Sequence, residues 1–398
     1  MTDDAPAAPA VPGRFPRVPE DSLLASVLLS FMATAGLFYV NIMAALVDGL
    51  ISGAGLTPRD AGLVASANVY GAAVGALTAV FIIRRLPWRR TAVAVLLALI
   101  SVDLVSTLIK APEALIAIRF VHGLIGGLLV GVAFAVIART KTPDRTFGML
   151  LVVQFGLGGL GLMFLPRLVP MFGHGVLFLA LATFSAVTLA MLPFLGEYRT
   201  PPRPAPTATK AAVRWIPLIL AFAGIFLFQA ANMGLAAYII SLGKASGLKL
   251  GFITDTLGAA NWIGALGSVM VVILGLKFGR AKPLLAGLAL TLVGTWAFHF
   301  SQMPWIYLVA NIATAVTWAF VIPYLLGLCA AFDKAGQMAA LGGFFSKLGL
   351  ASGPALAAFV VAGGEYRGLI TLAVVGLLLS GMAAIAPALA LDRQRVPA

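Results

Sequence analysis

Charge is scarce in this chain of 398 residues: Asp, Glu, Lys and Arg together make up 10%, against about a quarter in soluble globular proteins. With 61% hydrophobic residues and so few charges, the chain cannot clothe a soluble surface, and it reads as a polytopic membrane protein. Cysteine is nearly absent. Cys329 is the only one, which excludes an internal disulfide and a cysteine-built metal site. Histidine is restricted to His122, His174 and His299, far apart in sequence, and there is neither an HExxH nor a P-loop. With few acids left for acid/base work, an enzyme is not expected, and no cofactor or metal is expected either. Residues 1–21 lack the basic start of a signal peptide. They are rich in Pro and Ala, with Asp3, Asp4, Glu20 and Asp21 against Arg14 and Arg17, and are expected to form a disordered cytosolic tail.

What the chain does have is long apolar runs, each about the 20 residues that a bilayer requires. Six begin near Leu23, Ala61, Thr91, Ala114, Phe147 and Val176, and six more near Trp215, Phe252, Leu284, Ile306, Ala339 and Gly368. Between the two sets, residues 196–214 hold Pro201, Pro202, Pro204 and Pro206 among Arg199, Arg203, Lys210 and Arg214. Such a segment cannot continue a helix. The expected organisation is therefore an N-terminal six-helix bundle over 22–195, a cytosolic linker over 196–214, a C-terminal bundle over 215–391 and a tail over 392–398. The net charge of +13 does not point to nucleic acid, because the basic residues sit in short loops and orient the chain in the bilayer. Counted by alternate loops, nineteen Lys and Arg fall on the side of the termini and linker and six on the other, which predicts cytoplasmic termini in a bacterial-type inner membrane.

The halves repeat. Ala67-Asn68-x-x-Gly71-Ala72 returns 193 residues later as Ala260-Asn261-x-x-Gly264-Ala265, and the same offset carries Gln154-x-Gly156 onto Lys347-x-Gly349 and Arg84 onto Lys277. Three registers sharing one offset indicate a duplication, and duplicated halves with a site between them are a transporter architecture.

The most informative stretch is LIAIRFVHGLIGGLLVG, Leu115 to Gly131. Gly123, Gly127 and Gly131, four residues apart, share one helix face where a neighbouring backbone can come close. Arg119 lies one turn before them, and a cation inside an apolar helix marks a functional site by default. This stretch resembles the RxxxG motif of the fourth helix of the major facilitator superfamily. The basic loop RRLPWRR (Arg84 to Arg90) is similar to that family's loop after helix two only in its basic residues, and its repeat Lys277-Phe278-Gly279-Arg280 has no acid. Asp333-Lys334-x-Gly336-Gln337, leading to Gly349 and Gly353-Pro354, is similar to many members between helices ten and eleven. Helix five carries Gly156, Gly158, Gly159 and Gly161 but no Gly-Pro, so the exporter motif of the family is absent or degraded. The resemblance implies an all-α fold of twelve membrane helices in two pseudo-symmetric bundles and a secondary transporter working by alternating access.

Three ionisable residues lie at similar depth in the first bundle: Asp48, Asp103 and Arg119, with His122 one turn beyond. Protonation of a carboxylate beside a buried arginine frees the arginine for another partner, so Arg119 with Asp48 or Asp103 is expected to couple protons to transport. Lys347 lies about 12 Å into helix eleven, too deep to snorkel. The resemblance places its repeat partner Gln154 opposite, across the substrate space. Two buried cations without a central acid predict a substrate with a carboxylate, sulfonate or phosphate. Asn68 and Asn261 hydrogen-bond substrate or brace helices. Gln229, Asn232, Asn311, Trp318, Tyr39 and Asn41 fall on helices that line the family's cavity, and such walls suit an amphipathic molecule. The leading expectation is a monomeric, proton-coupled transporter of a small organic anion, with uptake favoured. Its rivals are proton-antiport efflux of amphipathic compounds and lipid flipping on the same fold.

Overall fold

The computed structural model describes residues 16–82, 86–198, 214–332 and 337–394, with no strand among them. Ten helices are long and apolar enough to span a membrane. They are α4 (Pro58–Ile82), α6 (Pro112–Ile137), α7 (Pro143–Phe172), α8 (Gly175–Met191), α9 (Trp215–Ala237), α11 (Leu250–Leu274), α12 (Ala281–Ala297), α13 (Pro304–Ala331), α14 (Gln337–Val360) and α15 (Arg367–Arg393). Two more crossings complete twelve. One is α5 (Trp88–Ser106); the other is the first crossing, broken into α1 (Leu23–Ala35), α2 (Phe38–Asn41) and α3 (Met43–Ala54). The seventh crossing is broken as well, α9 continuing as α10 (Ile239–Ala245). Proline opens α4, α6, α7 and α13, where its fixed φ suits the first turn and no amide is lost.

Corresponding helices start 192 to 194 residues apart: Pro58 and Leu250, Trp88 and Ala281, Pro112 and Pro304, Pro143 and Gln337, Gly175 and Arg367. The duplication read from three motifs therefore extends through both bundles. Glycine fixes the tightest packing. A methyl group on Gly123 or Gly127 of α6 would run into the carbonyls of Asn68 and Ala72 on α4, and one on Gly71 or Gly75 into those of Phe120 and Leu124. The two backbones touch without side chains between them, a contact that gives dispersion energy in a solvent where helices have no hydrophobic drive to associate. Gly349 and Gly353 bring α14 against Phe226 and Ala230 of α9 in the same way.

On the face where helices one, seven and the described ends of the chain lie, loops are tied by caps. Arg89 donates to the carbonyls of Leu192, Leu195 and Gly196, and Asp392 at the end of α15 accepts from the amides of Arg280 and Ala281. The loop at Lys277, which has no acid of its own, thus takes one from α15. The last residues of the tail expected over 1–21 are held here too, Val18 donating to Phe194 O at 2.8 Å and Arg17 pairing with Glu197 at 3.1 Å. Residues 1–15, 199–213 of the expected linker, Arg84 with Arg85 of the basic loop, Asp333 to Gly336 and residues 395–398 lie outside the described residues.

Candidate functional site

Two constellations occupy the interior, one of charge and one of amides. The first lies within the N-terminal bundle. Arg119 on α6 and Asp103 on α5 both have 0% exposure and meet at 2.8 Å. The guanidinium also donates to the Ser106 hydroxyl and the Val102 carbonyl and lies 4.7 Å over the Phe178 ring, a cation–π contact in a desolvated setting. His122, one turn on, brings Nε2 within 3.2 Å of the same Asp103 oxygen, while Nδ1 lies 2.7 Å from the Asn68 amide nitrogen, which also donates to the Arg119 carbonyl. Asn68 supplies a donor, so Nδ1 accepts and the imidazole proton sits on Nε2, facing Asp103. Asn68 is helix-bracing here and does not reach the cavity. Tyr39 packs its ring 6.1 Å from that of His122 with its hydroxyl buried and unpartnered.

Of the two aspartates expected beside Arg119, the structure brings only Asp103 to it. Asp48 faces Lys244 on α10, both carboxylate oxygens lying 2.7 Å from the ammonium. This pair joins the two bundles. Arg167 on α7 adds a second link, donating to Thr254, the Gly251 carbonyl and Asp255 of α11, and the Tyr238 hydroxyl a third, donating to Pro58 O at 2.8 Å. Nearer the midplane, Tyr70 meets Ser352, Asn261 donates to Phe155 O and Trp262 to Gly156 O. Among the described residues, no hydrogen bond between the bundles lies closer than these to the face that carries the termini. The described bonds between the bundles thus run from the midplane to the far face.

A cavity of about 250 Å³ lies between the bundles at the breaks in helices one and seven. Asn41, Gln154, Asn232, Asn261, Asn311 and Trp318 line it among apolar residues such as Val40, Met43 and Leu257, and no charged side chain does. Gln229 stands behind the wall: its amide nitrogen donates to Ser346 and its oxygen accepts the Trp318 indole, both at 2.8 Å. Lys347 is not part of this lining. It shares a face of α14 with Pro354 and Ala358, two and three turns on, which pack on Gly62 of α4. Nearer the terminal face the same side of α14 is free: a methyl group on Gly343, one turn before Lys347, would meet nothing within 4 Å. Lys347 therefore lies on the side of α14 that is turned toward the N-terminal bundle. It has no hydrogen bond or ion pair among the described residues, whereas Arg119, Arg167 and Lys244 each meet a carboxylate. Of the two buried cations expected from the sequence, Arg119 has its carboxylate and Lys347 has no described partner.

The sequence reading missed Lys244, Arg167 and Asp255 as partners. A signal for the first was present: α3 and α10 begin 196 residues apart, as do Asp48 and Lys244, so opposite charges occupy equivalent positions of the duplication. Three ligands for a metal are not brought together anywhere among the described residues.

The sequence pattern of the Major Facilitator Superfamily matches residues 23–354. The chain belongs to this superfamily. Solved structures agree on the fold. A peptide transporter superposes with a TM-score of 0.73 at 14% identity, covering 95% of this chain and 97% of its own. The nucleoside transporter NupG gives 0.65 at 14% identity, over 94% of this chain and 99% of its own. The human organic anion transporter MFSD10 gives 0.62 at 17% identity, over 92% of this chain and 100% of its own. At these identities the likeness is one of fold alone. No curated protein sequence matches the chain.

Proposed function

We propose that this superfamily member is a proton-coupled transporter that takes up a small amphipathic organic anion across a bacterial-type inner membrane, working as a monomer with both termini in the cytoplasm. The observation that carries this reading is Lys347: a lysine without a described partner, on the side of α14 turned toward the N-terminal bundle, with an uncharged, amide-lined cavity between the bundles. An ionised group withdrawn from water is expensive unless paired. A substrate whose negative group meets Lys347 while its apolar body enters the cavity supplies the pairing. The excess of Lys and Arg on the terminal face supports the orientation.

The coupling carboxylate in this reading is Asp48. Its partner Lys244 belongs to the other bundle, so protonating Asp48 removes an attraction that holds the far side shut, and acid outside favours opening outward. Asp103 has its partners within its own bundle; Arg119, Asp103 and His122 relay or brace, and their protonation does not directly part the bundles. The uncharged lining also suits the rival reading, antiport of amphipathic compounds outward. Lipid flipping draws less support: α4 meets α14 through Tyr70 and Ser352, and α11 is bonded to α7 at Phe155, Gly156 and Arg167.

Proteoliposomes under an imposed pH gradient, acid outside, test the function. Inward accumulation of an aromatic or aliphatic carboxylate that collapses with a protonophore supports uptake; proton-driven movement outward only would replace it with the rival.

A further inference from the structure

Five carboxamides stand in the cavity wall, Asn41, Gln154, Asn232, Asn261 and Asn311, and the way each is already engaged bears on the body of the substrate. Trp318 has one N–H, and it is engaged by Gln229 at 2.8 Å. The Thr314 hydroxyl is engaged by the Ala310 carbonyl at 2.8 Å. Asn232 and Asn311 each commit an amide N–H to a carbonyl of their own helix, Phe228 and Tyr307, and Asn261 commits one to Phe155 across the bundle interface, all within 2.9 Å. Their side-chain carbonyl oxygens have no such engagement. These three carboxamides thereby keep their whole accepting capacity and half of their donating capacity, the two single-donor groups keep none, and Asn41 holds a buried amide nitrogen without a described partner, which a hydroxyl group, able to accept as well as donate, can also meet.

A buried acceptor left unmade costs free energy, and a site built around such groups discriminates against ligands that cannot satisfy them. A purely hydrocarbon acid would strip water from these oxygens and return nothing. We infer that the substrate is a hydroxylated organic acid, its carboxylate or equivalent at Lys347 and its hydroxyl groups donating to the oxygens of Asn232, Asn261 and Asn311 along the cavity wall. This rests on the anion reading of Lys347, and it names what that reading leaves open, the chemistry of the part that enters the cavity. The volume of about 250 Å³ lies just below the usual range of small-molecule sites, about 300 Å³ upward, which fits a single ring or a short chain.

Three probes that differ by one feature each test it on the full-length protein in nanodiscs: a dihydroxybenzoate, benzoate, which lacks the hydroxyls, and catechol, which lacks the carboxylate. The expected result is that the dihydroxybenzoate binds at least ten-fold tighter than either of the others. Asn232→Leu, whose lost hydrogen bond is only to its own helix, should weaken the dihydroxybenzoate several-fold and narrow its advantage over benzoate. Lys347→Ala should weaken both acids alike and leave catechol unchanged. Equal affinity for benzoate and the dihydroxybenzoate would overturn the inference and leave the anion reading standing. Catechol binding as tightly as the acid, untouched by Lys347→Ala, would overturn the anion reading instead. Failure of the dihydroxybenzoate to bind at millimolar concentration would overturn the inference as well.

Discussion

Equivalent positions of the two bundles do different work. Arg119 is the eighth residue of α6 and Asn311 the eighth of α13; His122 corresponds in the same way to Thr314. In the first bundle these positions build a closed cluster of charge with Asp103, sealed from the cavity. In the second they present an amide and a hydroxyl to it. Asn68 and Asn261 diverge likewise: the first donates within its own bundle to Arg119 and His122, the second reaches across to Phe155. A duplicated backbone sets where side chains sit; which bundle holds the ion pair and which forms the uncharged wall follows from substitutions at matched sites.

That asymmetry can be broken most severely at Arg119. Removing one member of a fully buried pair leaves the other charge uncompensated, so Arg119→Ala should cost about 3–5 kcal/mol and greatly lower the yield of folded protein by fluorescence-detected chromatography. Its counterpart, Asn311→Ala, loses only a bond within its own helix and should cost no more than about 0.6 kcal/mol, the average for hydrogen bonds between membrane helices. Equal losses at the two positions would erase the contrast.

Lys347→Ala is expected to behave in the opposite sense to Arg119→Ala. An unpaired charge contributes nothing favourable to the fold, so the thermal midpoint should hold or rise while binding of an organic acid falls at least ten-fold. A fall in the midpoint comparable to that of Arg119→Ala would show that Lys347 is structural.

Asp48→Asn sharpens the division between the cross-bundle pair and the internal one. It should flatten the dependence of uptake on outside pH while substrate counterflow persists. Asp103→Asn should lower stability and keep the pH dependence in whatever transporter remains. A pH profile flattened by Asp103→Asn and not by Asp48→Asn would reverse the assignment.

The smallest effect is expected at the terminal face. The hydrogen bond from Lys141, with its positive charge, holds the Asp21 carboxyl below the usual carboxylate range. A lowered value means that this contact is fully present above the ordinary carboxylate pKa, about 3.9, and fades only as pH falls through the depressed one. Asp21 is fully exposed and its ion pair is screened by water. Thermal midpoints of wild type and Asp21→Asn should therefore coincide from pH 5 to 8.

Much of this was legible without coordinates. Runs of about twenty apolar residues leave the backbone no choice in hydrocarbon but to bond to itself as helices, so twelve crossings and a halfway break could be counted. The glycines of α6 announced the close approach to α4, because only a bare backbone permits it, and the deep charge at Arg119 announced a partner. Which partner was not readable. Asp48 and Asp103 lie at comparable depth, and only the packing of α5 against α6, with α3 turned toward α10, sends one to Arg119 and the other to Lys244. Lys347 was legible as a buried cation, yet its place outside the cavity lining depended on which side of α14 is turned toward the N-terminal bundle.

Composition and period by themselves therefore determined the helices, their number, their duplication and the depth of each charge, since these follow from how a single segment meets a bilayer. Partnership between charges, the closed far side and the amide-lined cavity were decided by tertiary structure alone. An ion pair depends on the rotation of two helices about their own axes, and that rotation is set by contacts among segments nearly two hundred residues apart, which no local pattern in the chain records.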